Sequence, residues 1–141
     1  MALVIALTLA FILRGSVPSA GSKKKKLRHK PFRQPVNKNF VQQKWREIKE
    51  LRELASPAQN KAAVIEADKL LNEVLSWKGY TGSIGDKLKV ARAEFSDYQG
   101  VWEAHKFRNN IVHDLETHSV AARTKDALAK FEKAFKDLGV L

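Results

Sequence analysis

The sequence predicts an all-α fold, an antiparallel bundle of about five helices over residues 37–141 behind a short N-terminal hydrophobic helix. Apolar residues recur through this region at intervals of three and four, the spacing that puts side chains on one face of a helix. No stretch alternates apolar and polar residues as a half-buried strand does. Capping residues and glycines separate the apolar stretches, so short loops must join neighbouring antiparallel helices.

Composition limits the chemistry of the chain. Its 141 residues include no cysteine, which excludes disulfides and thiolate sites. The formal net charge is +11, but residues 1–46 contain eleven Lys and Arg and no Asp or Glu, whereas residues 47–141 contain fifteen of each sign. The excess positive charge therefore belongs to the N-terminal segment and the start of the first helix, and the rest of the predicted domain is formally neutral.

Residues 1–14 form a hydrophobic segment that is apolar except for Thr8 and Arg14. As a helix it would span about 20 Å, against about 30 Å for the hydrocarbon core of a bilayer. Three interpretations stay open: a marginal transmembrane helix, the hydrophobic region of a signal peptide, or the end of a longer helix that begins upstream of Met1. No basic residue precedes the segment, which disfavours the signal peptide.

Residues 15–36 form a flexible polybasic linker. A stretch rich in Gly, Ser and Pro leads to the sequence KKKKLRHK, and Pro31 and Pro35 then interrupt any regular helix. Basic residues beside a membrane segment mark its cytoplasmic side, so we expect a single-pass membrane protein whose folded domain faces the cytoplasm. The basic residues of 23–33 also fit anionic lipid headgroups or RNA phosphates.

The first predicted helix covers residues 37–55, where charged residues separate apolar residues at helical spacing. Its apolar residues are Phe40, Val41, Trp45, Ile48, Leu51 and Leu54. The second helix begins at the N-cap Ser56, with Pro57 at its first position and Gln59 as capping-box partner. Its apolar residues are Ala62, Ile65, Leu70, Leu71, Val74, Leu75 and Trp77. Gly79 supplies the left-handed residue that ends it.

Three further helices complete the predicted bundle. The third begins at a cap formed by Ser83 and Asp86. Its apolar residues are Leu88, Ala91 and Phe95. The fourth covers about residues 101–116, and the fifth covers about 119–138 and stops at Gly139. The predicted buried stripe of the fifth is Ala121, Thr124, Leu128, Phe131, Phe135 and Leu138.

The fourth helix carries a polar segment, residues 102–114, which is unusual in a helix that must pack. His105, Asn109 and His113 lie one turn apart on a single face. Arg108 is adjacent to that face, and its long side chain can reach an anion held there. The candidate substrate-binding residues are His105, Lys106 and Asn110.

This segment resembles the HEPN family of helical domains, whose mark is an arginine, usually followed by a polar residue, and then a histidine a few residues further on. Arg108, Asn109 and His113 match that pattern with four intervening residues in the phrase RNNIVH. The resemblance extends loosely over residues 57–138. It implies a homodimer in which two motifs face one another and, in catalytic members, RNA cleavage without a metal or another cofactor.

The resemblance also implies a role for each motif residue. His113 would take the proton from a ribose 2′-hydroxyl or protonate the leaving oxygen, a role suited to a group that titrates near neutrality. Arg108 would stabilise negative charge on the phosphate with its planar set of donors. Asn109 would orient the imidazole or hold the phosphate.

Two other functions compete with RNA cleavage. One is a non-catalytic helical module that binds a protein partner at the cytoplasmic membrane face. Arg108 placed against Glu103 or another carboxylate of its own chain would favour this module, whereas a positive pocket around paired Arg108 and His113 side chains would favour RNA. The other is a metal site, which we do not predict because no ligand spacing such as HExxH is present. Its candidate ligands would be His105, His113, Asp114, Glu116 and His118.

Overall fold

A computed structural model of the chain describes residues 33–54, 56–111 and 117–141, with side chains described from residue 120 onward in the last range. Within these ranges there is no strand, which confirms the all-α class. The helices are α1 Lys38–Glu53, α2 Pro57–Trp77, α3 Ile84–Val90, α4 Tyr98–Ile111 and α5 Thr117–Asp137. A short 3-10 turn, Arg92–Glu94, follows α3.

Helix α2 lies against α1, α4 and α5 and forms the centre of the bundle. Aromatic contacts join the outer helices to it and to one another. The ring of Phe40 near the start of α1 meets that of Trp77 at the end of α2, with centroids 5.8 Å apart, so these two helices run antiparallel. Trp45 of α1 packs edge-on against Phe135 of α5 at 5.3 Å.

The core consists of apolar side chains from all five helices. Its largest fully buried members include Phe131, Phe135, Leu71, Leu75, Leu88 and Ile111. Burying a side chain of this size contributes about 1.5–3 kcal/mol relative to leaving it exposed. The packing of this core sets which residues of α2 lie opposite the polar face of α4.

The predicted helix caps are confirmed at several ends. The Ser56 side chain accepts from the Gln59 backbone N–H at the start of α2. Ser83 and Asp86 form a complete capping box at the start of α3. Gly79 is left-handed at φ 93° behind α2, as is Gly139 at φ 71° behind α5.

The third helix is shorter than predicted, and the fourth begins earlier. Helix α3 ends at Val90, and Phe95 is extended, with φ −104° and ψ 124°. Tertiary hydrogen bonds explain this break, because Asp137 at the end of α5 accepts from the Ser96 backbone N–H at 2.8 Å. Helix α4 then begins at Tyr98, since the Asp97 side chain accepts from the Gly100 N–H at 2.9 Å and caps its first turn.

Three residues predicted to be core are exposed. Ala121 is exposed and Val120 is buried instead, so the buried stripe of α5 is rotated slightly from the prediction. Phe40 is 36% exposed and Leu54, beyond the end of α1, is 63% exposed. Phe40 nevertheless contacts the Trp77 ring of α2, whereas Leu54 lies beyond the last turn of α1.

The N-terminal predictions lie outside the described residues. They concern the hydrophobic segment 1–14 and most of the linker 15–36, and the predicted end of the fourth helix after residue 111 lies outside them as well. Among the helices that the structure describes, none is both long and apolar enough to cross a bilayer.

Candidate functional site

The last two turns of α4 present polar side chains to the middle of α2. His105, Arg108 and Asn109 stand three and four residues apart, and such positions share one face of a helix. Opposite them on α2 is Asp68, which is only 5% exposed. These four side chains form a polar cluster, named here the Asp68 cluster, in an otherwise apolar contact between two helices.

The centre of the Asp68 cluster is a carboxylate–imidazole pair. Asp68 Oδ1 lies 2.8 Å from His105 Nδ1, and His105 is 8% exposed. An ionised carboxylate only accepts hydrogen bonds, so Nδ1 carries the hydrogen. Asn109 Nδ2 lies 3.4 Å from His105 Nε2, which fits an amide N–H that faces an unprotonated ring nitrogen. Asp68 therefore fixes both the tautomer and the orientation of the imidazole.

Arg108 completes the cluster through a looser contact. Its Nη1 donates to Asn109 Oδ1 at 3.2 Å, and its Nε lies 3.6 Å from Asp68 Oδ2. Charge-assisted hydrogen bonds are shorter, at about 2.7–2.9 Å. The buried Nε has no hydrogen-bond partner among the described residues, and the side chain is 32% exposed. The carboxylate thus attracts the guanidinium without saturating it.

Asp68 was not predicted from the sequence as a site residue. Its signal is nevertheless present, because the helical period of α2 places residue 68 between Val64 and Leu71 on the buried face. An acid at such a position needs a buried partner or a function. The partner stands 37 residues further along the chain, a distance that periodicity within one helix cannot bridge.

The predicted site residues have different environments. His105 and Asn109 lie one turn apart on one face of α4, as predicted, and their side chains are in contact. Lys106 and Asn110 are exposed, and no described contact joins them to the Asp68 cluster. His113 lies outside the described residues, two positions beyond the end of α4 at Ile111.

Glu103, the first acid considered as a partner of Arg108, faces α5 instead. Lys130 Nζ donates to Glu103 Oε2 at 3.0 Å. This hydrogen bond, with a second from Gln99, lowers the pKa of the Glu103 carboxyl. Among the described residues, the carboxylate paired with Arg108 is that of Asp68, at 3.6 Å.

No group of three or more His, Asp or Glu side chains among the described residues could hold a metal ion. Of the candidate metal ligands, only the His105 side chain is described. No protein-family model, curated protein or solved structure matches the chain.

Proposed function

We propose that this chain is a membrane-tethered HEPN-like domain that acts on RNA as a homodimer. Its activity is metal-independent endonucleolytic cleavage of RNA or, without cleavage, binding of RNA or nucleotides. In this proposal Arg108 binds and neutralises phosphate, His113 transfers the proton, and Asn109 orients the groups between them. The N-terminal segment holds the domain at the cytoplasmic face of a membrane.

The observation that carries the proposal is the way a buried acid orients the polar end of α4. Asp68 fixes the His105 ring at 2.8 Å and attracts Arg108 at 3.6 Å, immediately before the residues that contain His113. Burying a carboxylate among apolar side chains is unfavourable unless its partners compensate for the lost hydration. Clusters that bring together an acid, an imidazole and a guanidinium are typical of sites for acid–base and phosphate chemistry.

The linker supports the same proposal through its charge. Residues 47–141 are formally neutral, with fifteen charged residues of each sign, whereas residues 23–33 contain seven Lys and Arg and no Asp or Glu. Such a segment supplies phosphate affinity that does not depend on sequence and attracts anionic lipid headgroups as well. Affinity and chemistry would then reside in different parts of the chain.

The test is RNA cleavage by the purified full chain in detergent with EDTA present. Arg108→Ala and His113→Ala should each slow cleavage by about 10²-fold or more, the usual contribution of an acid–base group or a phosphate-binding donor. Arg46→Ala is the matched control, because Arg46 is an exposed arginine of α1 far from the Asp68 cluster in sequence. It should retain the wild-type rate within about twofold, as surface substitutions usually do.

Two results would contradict the nuclease proposal. One is cleavage that survives both Arg108→Ala and His113→Ala, which would indicate a contaminant. The other is a folded chain that neither cuts nor binds RNA at micromolar concentration and low salt. Deleting residues 23–33 separates the two contributions, since it should weaken RNA binding and flatten its salt dependence while cleavage at saturating RNA persists.

A second candidate function is the non-catalytic module that binds a protein at the cytoplasmic membrane face. The observation that favours it is the position of Arg108 beside Asp68, a carboxylate of its own chain. A groove between α1 and α2 combines apolar and charged side chains in its lining, which consists of Phe40, Lys44, Glu47, Ile48, Leu51, Glu66, Lys69, Leu70 and Glu73. This candidate predicts that Phe40→Ser abolishes binding of a partner, whereas Arg108→Ala changes only stability.

A further inference from the structure

The two oxygens of the buried Asp68 carboxylate face different groups. We infer that Asp68 regulates the proposed RNA site: it holds Arg108 in place in the free protein and gives up the guanidinium to a phosphate when RNA binds. The inference rests on the proposed function, and it adds a residue of α2 to a motif that the sequence places at residues 108–113. Asp68 is a positioning residue in this scheme and does not touch the substrate.

The two contacts of the Asp68 carboxylate are unequal. Oδ1 of Asp68 lies 2.8 Å from the ring nitrogen of His105, a normal hydrogen bond, whereas Oδ2 lies 3.6 Å from Arg108 Nε. Bidentate guanidinium–carboxylate pairs have two short contacts. The imidazole is therefore locked to Asp68 and the guanidinium is not.

The Arg108 side chain has a buried hydrogen-bond donor that is not satisfied by the described residues. Its Nε is buried and has no hydrogen-bond partner among the described residues, although a third of the side chain is exposed. A buried donor without a hydrogen-bond partner is energetically unfavourable. A phosphate oxygen that reached this N–H would relieve that cost and would replace a long contact with a short, charge-assisted one.

Removing the negative charge of Asp68 should have opposite effects on RNA binding and on turnover. The negative charge of Asp68 opposes the attraction between Arg108 and a phosphate, so its removal should tighten binding of RNA in the ground state. The same carboxylate orients His105, which in turn faces Asn109 at 3.4 Å, so its removal should also disturb the geometry of the site. A lower KM together with a lower kcat is therefore expected. Loss of folded protein alone would lower kcat and leave KM unchanged.

The experiment compares Asp68→Asn with Glu66→Gln in the full chain. Both substitutions remove one negative charge from α2, but Glu66 is exposed and pairs with Lys69 at 2.7 Å. Binding is measured with a 2′-O-methyl oligonucleotide, which has no 2′-hydroxyl to react. Asp68→Asn should bind about fivefold more tightly and turn over RNA at least about tenfold more slowly, whereas Glu66→Gln should match the wild type. Equal behaviour of the two variants would overturn the inference.

A second measurement does not depend on RNA activity. In ¹⁵N-arginine-labelled wild-type chain, the Nε–H signal of Arg108, assigned with Arg108→Lys, is followed during titration with inorganic phosphate. We expect the Arg108 Nε–H signal to shift as phosphate binds and to stop shifting when the site is saturated. In Asp68→Asn the signal should already be shifted before phosphate is added. A signal unchanged by both phosphate and the substitution would overturn the inference, and the phosphate titration decides alone if Asp68→Asn fails to fold.

The two measurements distinguish the inference from the proposed function. Suppose that the wild-type chain neither binds nor cuts RNA, but its Arg108 signal responds to phosphate and to Asp68→Asn. This result refutes the RNA function and supports the exchange of Asp68 for phosphate as the partner of Arg108. A chain that cuts RNA with unchanged kcat and KM in Asp68→Asn supports the RNA function and refutes the exchange.

Discussion

At the scale of the residue, Tyr80 and Glu94 form a tertiary contact whose strength depends on pH. The Tyr80 hydroxyl donates to Glu94 Oε1 at 2.7 Å, and Lys78 Nζ lies 3.0 Å from the other carboxylate oxygen. Burial, together with the hydrogen bond to Glu94, raises the pKa of Tyr80 to about 12. The same hydrogen bond, with one from Lys78, lowers the pKa of the Glu94 carboxyl.

These pKa shifts predict the effect of Tyr80→Phe. Because the pKa of Tyr80 is higher in the folded chain than the ordinary value of about 10, its stabilisation is complete below pH 10 and is lost as the pH rises towards about 12. Tyr80→Phe should therefore lower the free energy of unfolding by about 1 kcal/mol at pH 8. Urea unfolding of both proteins should show this difference shrinking between pH 10 and 12, and a difference that stays constant with pH would contradict the account.

Single residues also show what the sequence could reveal about the site. The His105–Asn109 contact was predictable because both residues belong to one helix and obey its period. Asp68 was not recognised because its role depends on how α2 packs against α4. The same limit applies to Arg108, whose partner could not be chosen between Glu103 and another acid until the helices were placed.

At the scale of the element, most helix ends followed from local chemistry. Ser56, Ser83, Gly79 and Gly139 act within a few residues of their own positions, so the sequence sufficed to predict their caps and stops. The break after α3 could not be predicted in the same way, because the hydrogen bonds that hold Ser96 come from the far end of α5. Tertiary contacts there override the helical period of the sequence.

Gly100 and Gly85 provide a matched test of the helix starts. A Cβ at residue 100 would lie 2.2 Å from Asp97 Oδ2, so Gly100→Ala must displace the cap of α4 and should cost about 1 kcal/mol. A Cβ at residue 85 would meet Trp102 at an ordinary 3.5 Å, so Gly85→Ala should be neutral or stabilising by up to about 1 kcal/mol. Thermal unfolding measures both changes, and equal melting temperatures for the two variants would refute the assigned cap.

At the scale of the whole molecule, most of the excess positive charge precedes the folded core along the chain, and the rest lies in the N-terminal part of α1. All of the net charge of +11 is accounted for by residues 1–46, whereas the four residues of the Asp68 cluster lie on α2 and α4. In the proposed arrangement, a basic segment lies next to a membrane, and the residues that act on RNA belong to a different part of the chain. Binding to anionic surfaces and activity on RNA should therefore be separable.

This separation predicts how truncated chains bind vesicles. A chain without residues 1–14 should bind vesicles that contain phosphatidylserine through the basic residues of 23–33, at about 1 kcal/mol for each Lys or Arg near the surface. Deleting 23–33 as well should abolish binding, and salt should weaken it in the longer chain. Flotation assays measure both effects. Binding that is insensitive to salt and to the second deletion would contradict an electrostatic role of the linker.

In the proposed function, the buried Asp68 cluster serves chemistry at the end of α4 and does not serve stability. The most direct test is metal-free RNA cleavage by the full chain beside the double variant Asp68→Ala/His105→Leu, which replaces the buried pair with apolar side chains of similar total volume. Because such replacements are often neutral or stabilising, the double variant should remain folded at the wild-type melting temperature while its cleavage falls by about 10²-fold or more. Cleavage at the wild-type rate by the folded double variant, or a variant that no longer folds, would contradict the claim.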